Sequence, residues 1–210
     1  MTAKSHPITA SKIYYIKLGR GGDWEAESLR DGVIRFGYRE APHELCSKGE
    51  WQGVWEAMKA IRGDAGAATR DVNQIRAFYE ADDRSIFITF VGGLLYWCHP
   101  GGDVELLEDR SHRRTTLDGW HSTTAGGTVL SADRLSGRLL KVQMFRGTIC
   151  DVRASDYVLR RLNDELAPEV AAAEEAERAL LVAIAGLMRL LTWQDFELLV
   201  DLVFSTSGWR

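Results

Sequence analysis

The sequence predicts an α+β protein: a small curved sheet or barrel with inserted helices, followed by C-terminal helices. Three observations carry this. Short runs rich in β-branched and aromatic residues, KIYYIKLG, VIRFGY and SIFITF among them, recur between glycine-rich breaks and read as strands. Two stretches within residues 41–82 carry apolar residues at helical spacing, which sets helices inside the succession of strands. From residue 166 the composition shifts to alanine, glutamate and leucine, residues that favour long helices.

Taken in order, residues 1–11 have no apolar stretch of signal-peptide type and are expected to form a disordered leader. Lys12 to Gly19 is a strand ended by Arg20-Gly21-Gly22-Asp23. Trp24 opens a short helix that Gly32 closes, in the position where a left-handed residue ends a helix. Val33 to Tyr38 is the second strand. Trp51, Trp55, Met58 and Ile61 then share one helical face, and after a GDAGAA loop Thr69 caps a helix whose apolar stripe is Val72, Ile75, Phe78 and Tyr79. Ser85 to Gly102 reads as a hairpin turning at Gly92-Gly93. RSHRRTTLDGWHST is a polar loop, Arg138 to Val152 supplies the last strands with a break at Gly147, and DYVLRRLNDEL is a closing helix. Residues 12–165 thus form one domain and 166–191 a helical connector.

The formal charge of −4 excludes a global basic field, so any contact with DNA must come from a local patch. Three distant cysteines, Cys46, Cys98 and Cys150, without a C-x-x-C pair suggest neither a zinc site nor a disulfide framework, and a reducing cytoplasm fits them best. The longest apolar run, ALLVAIAGLMRLL, is too short to span a membrane and carries Arg189. No Ser-His-Asp, paired-carboxylate or Cys-His pattern stands out, so no independent active site is expected.

Trp24, Tyr38, Tyr96, Trp97 and Trp120 are candidates for a cage around an extruded base, because an aromatic face restores the stacking that the base gives up. The competing reading is core packing. Tyr96 and Trp97 are adjacent on a strand and face opposite sides, so one of them is expected inside. Arg110, Arg113 and Arg114, with His112, form the densest cationic run, beside Thr115 and Thr116. Such a loop suits phosphate contacts, which fix register without reading sequence, and suits plain solvation equally well. Lys17, Arg20 and Arg35 extend the patch if the first two strands pair. Gly19-Arg20-Gly21-Gly22 departs from both phosphate-loop fingerprints and reads as a tight turn.

Residues 192–210, TWQDFELLVDLVFSTSGWR, begin with Thr192 and Asp195 at capping spacing. They continue with Phe196, Leu199, Val200, Val203 and Phe204 as a helical stripe, and stop at Ser205 to Gly208. The pattern D-F-E-x-L-V-x-x-V-F followed by G-W-R resembles the opening helix of the Mrr-type restriction endonuclease domain, of the PD-(D/E)XK superfamily. The resemblance covers only this segment. It implies that a nuclease domain is truncated here and that Glu197 is one element of its Mg²⁺ site. The other acidic and acid-x-lysine elements fall outside the chain, so no cofactor is expected in it and it should leave DNA intact. It further implies that the preceding residues are the DNA-recognition module of a bacterial defence protein. The strand, Trp-led helix and strand opening, with LLYWC and DGW, is similar to the PUA-like EVE and YTH readers of modified bases. That likeness implies double-stranded DNA, with a modified base as a candidate, as the partner. The alternative is an interaction module that positions a nuclease without reading bases, with the C-terminal helices as a candidate homodimer contact.

Overall fold

The computed structural model describes residues 7–165 and 168–206. They divide into two compact units, Met1–Glu165 and Leu166–Arg210, and the fold is α+β as expected, with two small open sheets in the first unit. The first sheet contains β1 (Ile13–Ile16), β3 (Ile86–Val91), β4 (Leu94–Cys98) and β7 (Ile149–Asp151), in the order β4-β3-β1-β7. Strand β1 runs parallel to β3 and antiparallel to β7. The second sheet is β2 (Val33–Phe36), β6 (His112–Thr115) and β5 (Glu105–Leu106), antiparallel throughout. A single bridge between Pro100 and Thr116 links the hairpin end to β6.

Strand β1 organises the core because both of its faces are covered. Tyr14 and Ile16 point to one side, against Val72, Ile75 and Phe78 of α4 (Ala65–Glu80). Ile13 and Tyr15 point to the other, among Trp97, Leu130, Leu139 and Val158. The alternation follows from the two-residue period of a strand, and a strand covered on both faces is apolar throughout. The hairpin turns where expected: Val91 faces Leu94, and Gly92 and Gly93 take φ of 57° and 80°, the left-handed pair that a two-residue turn needs.

Helix α1 (Glu25–Asp31) ends at left-handed Gly32, whose N–H returns to Ser28. Helices α2 (His43–Lys48) and α3 (Trp51–Arg62) follow, and α3 packs on α4. The stripe of α4 is as expected, but its cap is not. The side chain of Asp64 accepts from Ala67 N–H at 2.6 Å, so the glycine- and alanine-rich stretch read as a loop is the first turn of the helix. Thr69 sits inside it and donates back to the Ala65 carbonyl. On α3 the buried side chains are Val54 and Met58, whereas Ile61 is exposed.

Three further expectations are corrected. The cationic stretch read as a loop is β6, paired residue by residue with β2. Residues 138–144, expected as strand, fall in α5 (Gly137–Leu140) and a 3-10 turn, because Ser136 accepts from Leu139 N–H and starts a helix. The leader is tied down from Ile8, whose N–H and carbonyl both bond the Asn163 side chain just past α6 (Ser155–Leu162). Residues 1–6 lie outside the described residues.

The second unit consists of α7 (Pro168–Met188) and α8 (Trp193–Thr206). The expected cap is present: Thr192 Oγ1 accepts from Asp195 N–H while the Asp195 carboxylate accepts from Thr192 N–H, a reciprocal arrangement that satisfies two helix-end donors. Residues 207–210, where the stop was expected, lie outside the described residues. Among the described residues, no helix is long and apolar enough to cross a membrane.

Candidate nucleic-acid cleft

A cleft of about 710 Å³ opens beside the turn that follows β1. Its floor carries Trp24 and Tyr38, and its rim carries Lys17, Arg20, Arg39, Arg62 and Arg146 against only Asp23 and Glu40. It is a positive pocket in a chain of negative net charge.

Backbone glycines and a buried cation set Trp24 in place. A Cβ on Gly37 would lie 3.2 Å from the indole, and one on Gly19, where φ is 87°, would lie 3.0 Å from the Trp24 nitrogen. The left-handed backbone at Gly19 favours glycine, and a side chain at Gly37 would push the indole by a few tenths of an ångström. The Arg35 guanidinium lies 4.5 Å from the indole centroid and does not line the cleft, so it backs the ring from behind. Phe36 backs Tyr38 in the same way, with ring centroids 4.9 Å apart. The Tyr38 hydroxyl donates to Asp71 at 3.0 Å, and burial, followed by that carboxylate, pushes its pKa up. Two ring positions are thus fixed before any ligand arrives, which lowers the ordering cost of binding.

The rim cations differ in readiness. Arg20 and Arg146 are exposed and form no ion pair among the described residues. Arg39 pairs with Asp109 at 3.1 Å and Arg62 with Asp71 at 2.6 Å. The Arg39 pair joins two exposed side chains and is weak, so an incoming phosphate can compete for that arginine, whereas Asp71 is mostly buried, also accepts from Tyr38 and holds Arg62 more firmly. The Lys17 ammonium donates to the Phe145 carbonyl.

Of the residues singled out in the sequence, Trp24, Tyr38, Lys17 and Arg20 meet in this cleft, and the others do not. Arg114 is buried and donates to four backbone carbonyls. Arg35 is buried and held by Glu27, Asp109 and Ser111. Neither guanidinium is available to a phosphate. Arg113 pairs with Glu105 at 2.7 Å on the second sheet. Arg110 occupies an exposed turn with φ of 64°.

Among the aromatics, Trp97 belongs to the core, its indole N–H donating to the Thr123 carbonyl. Its neighbour Tyr96 is half-buried opposite Thr89. Trp120 packs on the other core cluster and donates to the Val33 carbonyl at 2.9 Å. The reasoning from sequence missed Arg39, Arg62 and Arg146, which come from a β2 exit, a helix C-terminus and a loop. Arg146, expected within a strand, lies in the loop between the 3-10 turn and β7. The adjacency of Arg39 to Tyr38 was the one signal present.

Glu197 is exposed on α8. Among the described residues, no group of three His, Cys, Asp or Glu side chains is placed to hold a metal ion. The chain matches no family model, and no curated protein or solved structure matches it.

Proposed function

We propose that the first unit is a DNA-recognition module that reads an unstacked base, with a modified base as the preferred target. In this reading it serves a restriction-endonuclease-like defence protein whose Mg²⁺-dependent nuclease lies outside this chain. The observation that carries the reading is the cleft itself: two backed aromatic rings beside five cations, on a protein of negative net charge. Cations around the rim suit phosphates on either side of a nucleotide, and the rings suit its base. The resemblance of residues 192–210 to the opening of an Mrr-type nuclease domain supports the wider setting.

The test separates two kinds of residue by binding to duplexes that differ in one base modification. Arg20→Ala and Arg146→Ala are expected to weaken every duplex alike and to reduce the slope of log affinity against log salt by about 0.9 per lost contact. Trp24→Ala is expected to cost about 1–3 kcal/mol on the preferred duplex and to spare the others. Melting of the same proteins is the control, since an indole needed only for packing would lower stability and weaken all duplexes together. If the wild-type protein binds no duplex at moderate salt, the reading fails and the protein-interaction module takes its place.

A further inference from the structure

The cations around Trp24 fall into two groups. Lys17 and Arg20 lie on the turn after β1, and Arg146 lies in the loop before β7. These segments are tied together, since the Lys17 N–H donates to the Thr148 carbonyl at 2.9 Å and its ammonium to the Phe145 carbonyl. Arg39 and Arg62 lie at the exit of β2 and the end of α3, beside Tyr38, whose hydroxyl shares Asp71 with the Arg62 guanidinium. Trp24 touches both groups. Its backbone N–H donates to the Leu18 carbonyl at 3.1 Å, within the segment of the first group, and its ring centroid lies 5.9 Å from the Arg39 guanidinium carbon of the second. One nucleotide of a chain has the matching plan, a flat base with a phosphate on each side of its sugar.

Size and charge agree with a single such unit. The volume of about 710 Å³ lies within the roughly 300–1,000 Å³ of sites that enclose one small ligand. The chain has 26 Lys and Arg against 30 Asp and Glu, and five of the former with two of the latter line the cleft, so the rest of the protein is more acidic than the whole. The densest cationic run of the sequence does not extend the rim, because Arg113 is paired with Glu105 and Arg114 is buried. A phosphate monoester carries about −1.5 to −2 near neutral pH, so two of them answer the excess of cations over acids in the cleft.

We infer that the cleft binds one nucleotide without a duplex around it, and that a free nucleoside 3′,5′-bisphosphate is a sufficient ligand. The inference rests on the reading of this cleft as a base site and narrows it: a duplex delivers the nucleotide, and the contacts are made to that nucleotide alone. A free bisphosphate gives up no pairing or stacking on entry, whereas an extruded base must.

The experiment is calorimetric titration of the full-length protein with the 3′,5′-bisphosphates of the four deoxynucleosides and of the modified one carried by the test duplexes. One site per chain is expected for at least one of them. Its 5′-monophosphate should bind about tenfold more weakly, as should the bisphosphate to Arg146→Ala, each having lost a charge-assisted contact. Trp24→Ala should weaken the bisphosphate by roughly 5- to 150-fold, and Arg113→Ala should change nothing. Arg146 is exposed, so its variant keeps the test open should Trp24→Ala fail to fold. Pyrophosphate that binds as tightly as the bisphosphate overturns the inference, since the base then contributes nothing, and so does undiminished binding to Arg146→Ala. A protein that binds duplex but no bisphosphate at millimolar concentration overturns it and leaves the DNA reading in place. One that binds bisphosphate but no duplex sustains it and overturns the DNA reading.

Discussion

Replacing Arg114 with alanine is expected to cost about 3–5 kcal/mol of stability, because it strands several buried carbonyls at roughly 1–3 kcal/mol each. The residue is 6 % exposed, and its guanidinium donates through Nη1 to the carbonyls of Phe78 and Ala81 at 3.0 and 2.9 Å, and through Nη2 and Nε to those of Gly102 and Gly101. Two of these acceptors end α4, where a cation also opposes the negative pole of the helix. The substitution strands buried carbonyls and leaves a void, and each stranded group brings its own desolvation penalty. Arg114→Lys should rescue little, because one ammonium cannot reproduce the planar fork that spans both loops. For a unit of this size the melting temperature should fall by roughly 10 °C. Duplex binding by the fraction that remains folded should be unchanged, because Arg114 does not line the cleft. A variant that melts like the wild type but loses DNA would return Arg114 to the phosphate contacts.

Stability is expected to fall between pH 6.5 and pH 4, and His112 is the cause. Its imidazole is fully buried on β6 opposite Phe36, ringed by Phe36, His43 and Tyr79, and neither ring nitrogen has a partner among the described residues. Burial, and then the neighbouring His43, lower its pKa to about 4, while Asp109 acts weakly in the opposite direction. The unfolded chain therefore takes up a proton near pH 6.5 that the folded protein refuses until about pH 4. Across that window the unfolded state binds more protons, so stability declines as the pH falls, by roughly 3 kcal/mol in all. The acid-side contributions come later. Asp109 and Asp82 are held at about 2, chiefly by hydrogen bonds from Ser111 and from Ser85 and Ser11 respectively, and what they contribute is lost only as the pH drops below 3.8 towards 2. Urea melts at pH 7.5, 6, 5 and 4.5 measure the slope, and His112→Phe, which keeps a ring in the aromatic pocket and removes both nitrogens, should flatten it. An unchanged slope in that variant would clear His112 of the effect.

The sequence alone determined those parts of this protein whose cause is local. The Gly92-Gly93 turn, the Gly32 helix end, the Thr192–Asp195 cap and the Val72-Ile75-Phe78 stripe each depend on residues within a turn or two of one another, and backbone sterics and helical period act at that range. The α+β class followed from summing such elements. Where two local signals compete, the nearer helix start prevails: Asp64 rather than Thr69 caps α4, and Ser136 starts a helix in residues rich enough in Leu and Val to favour a strand.

Tertiary structure decided which charges and rings are available, because availability depends on partners distant in sequence. Arg113 and Arg114 are neighbours on a strand and so point to opposite sides; pairing with β2 sent one to Glu105 at the surface and the other beneath the end of α4. Trp97 became a core residue and Trp120 packed half-buried against the core once Thr123 and Val33 supplied acceptors for their indoles. The cleft draws Lys17, Arg39, Arg62 and Arg146 from four separate segments, and no spacing along the chain encodes that convergence. Burial and charge pairing depend on the whole fold, whereas a strand, a turn or a cap depends on a few adjacent residues.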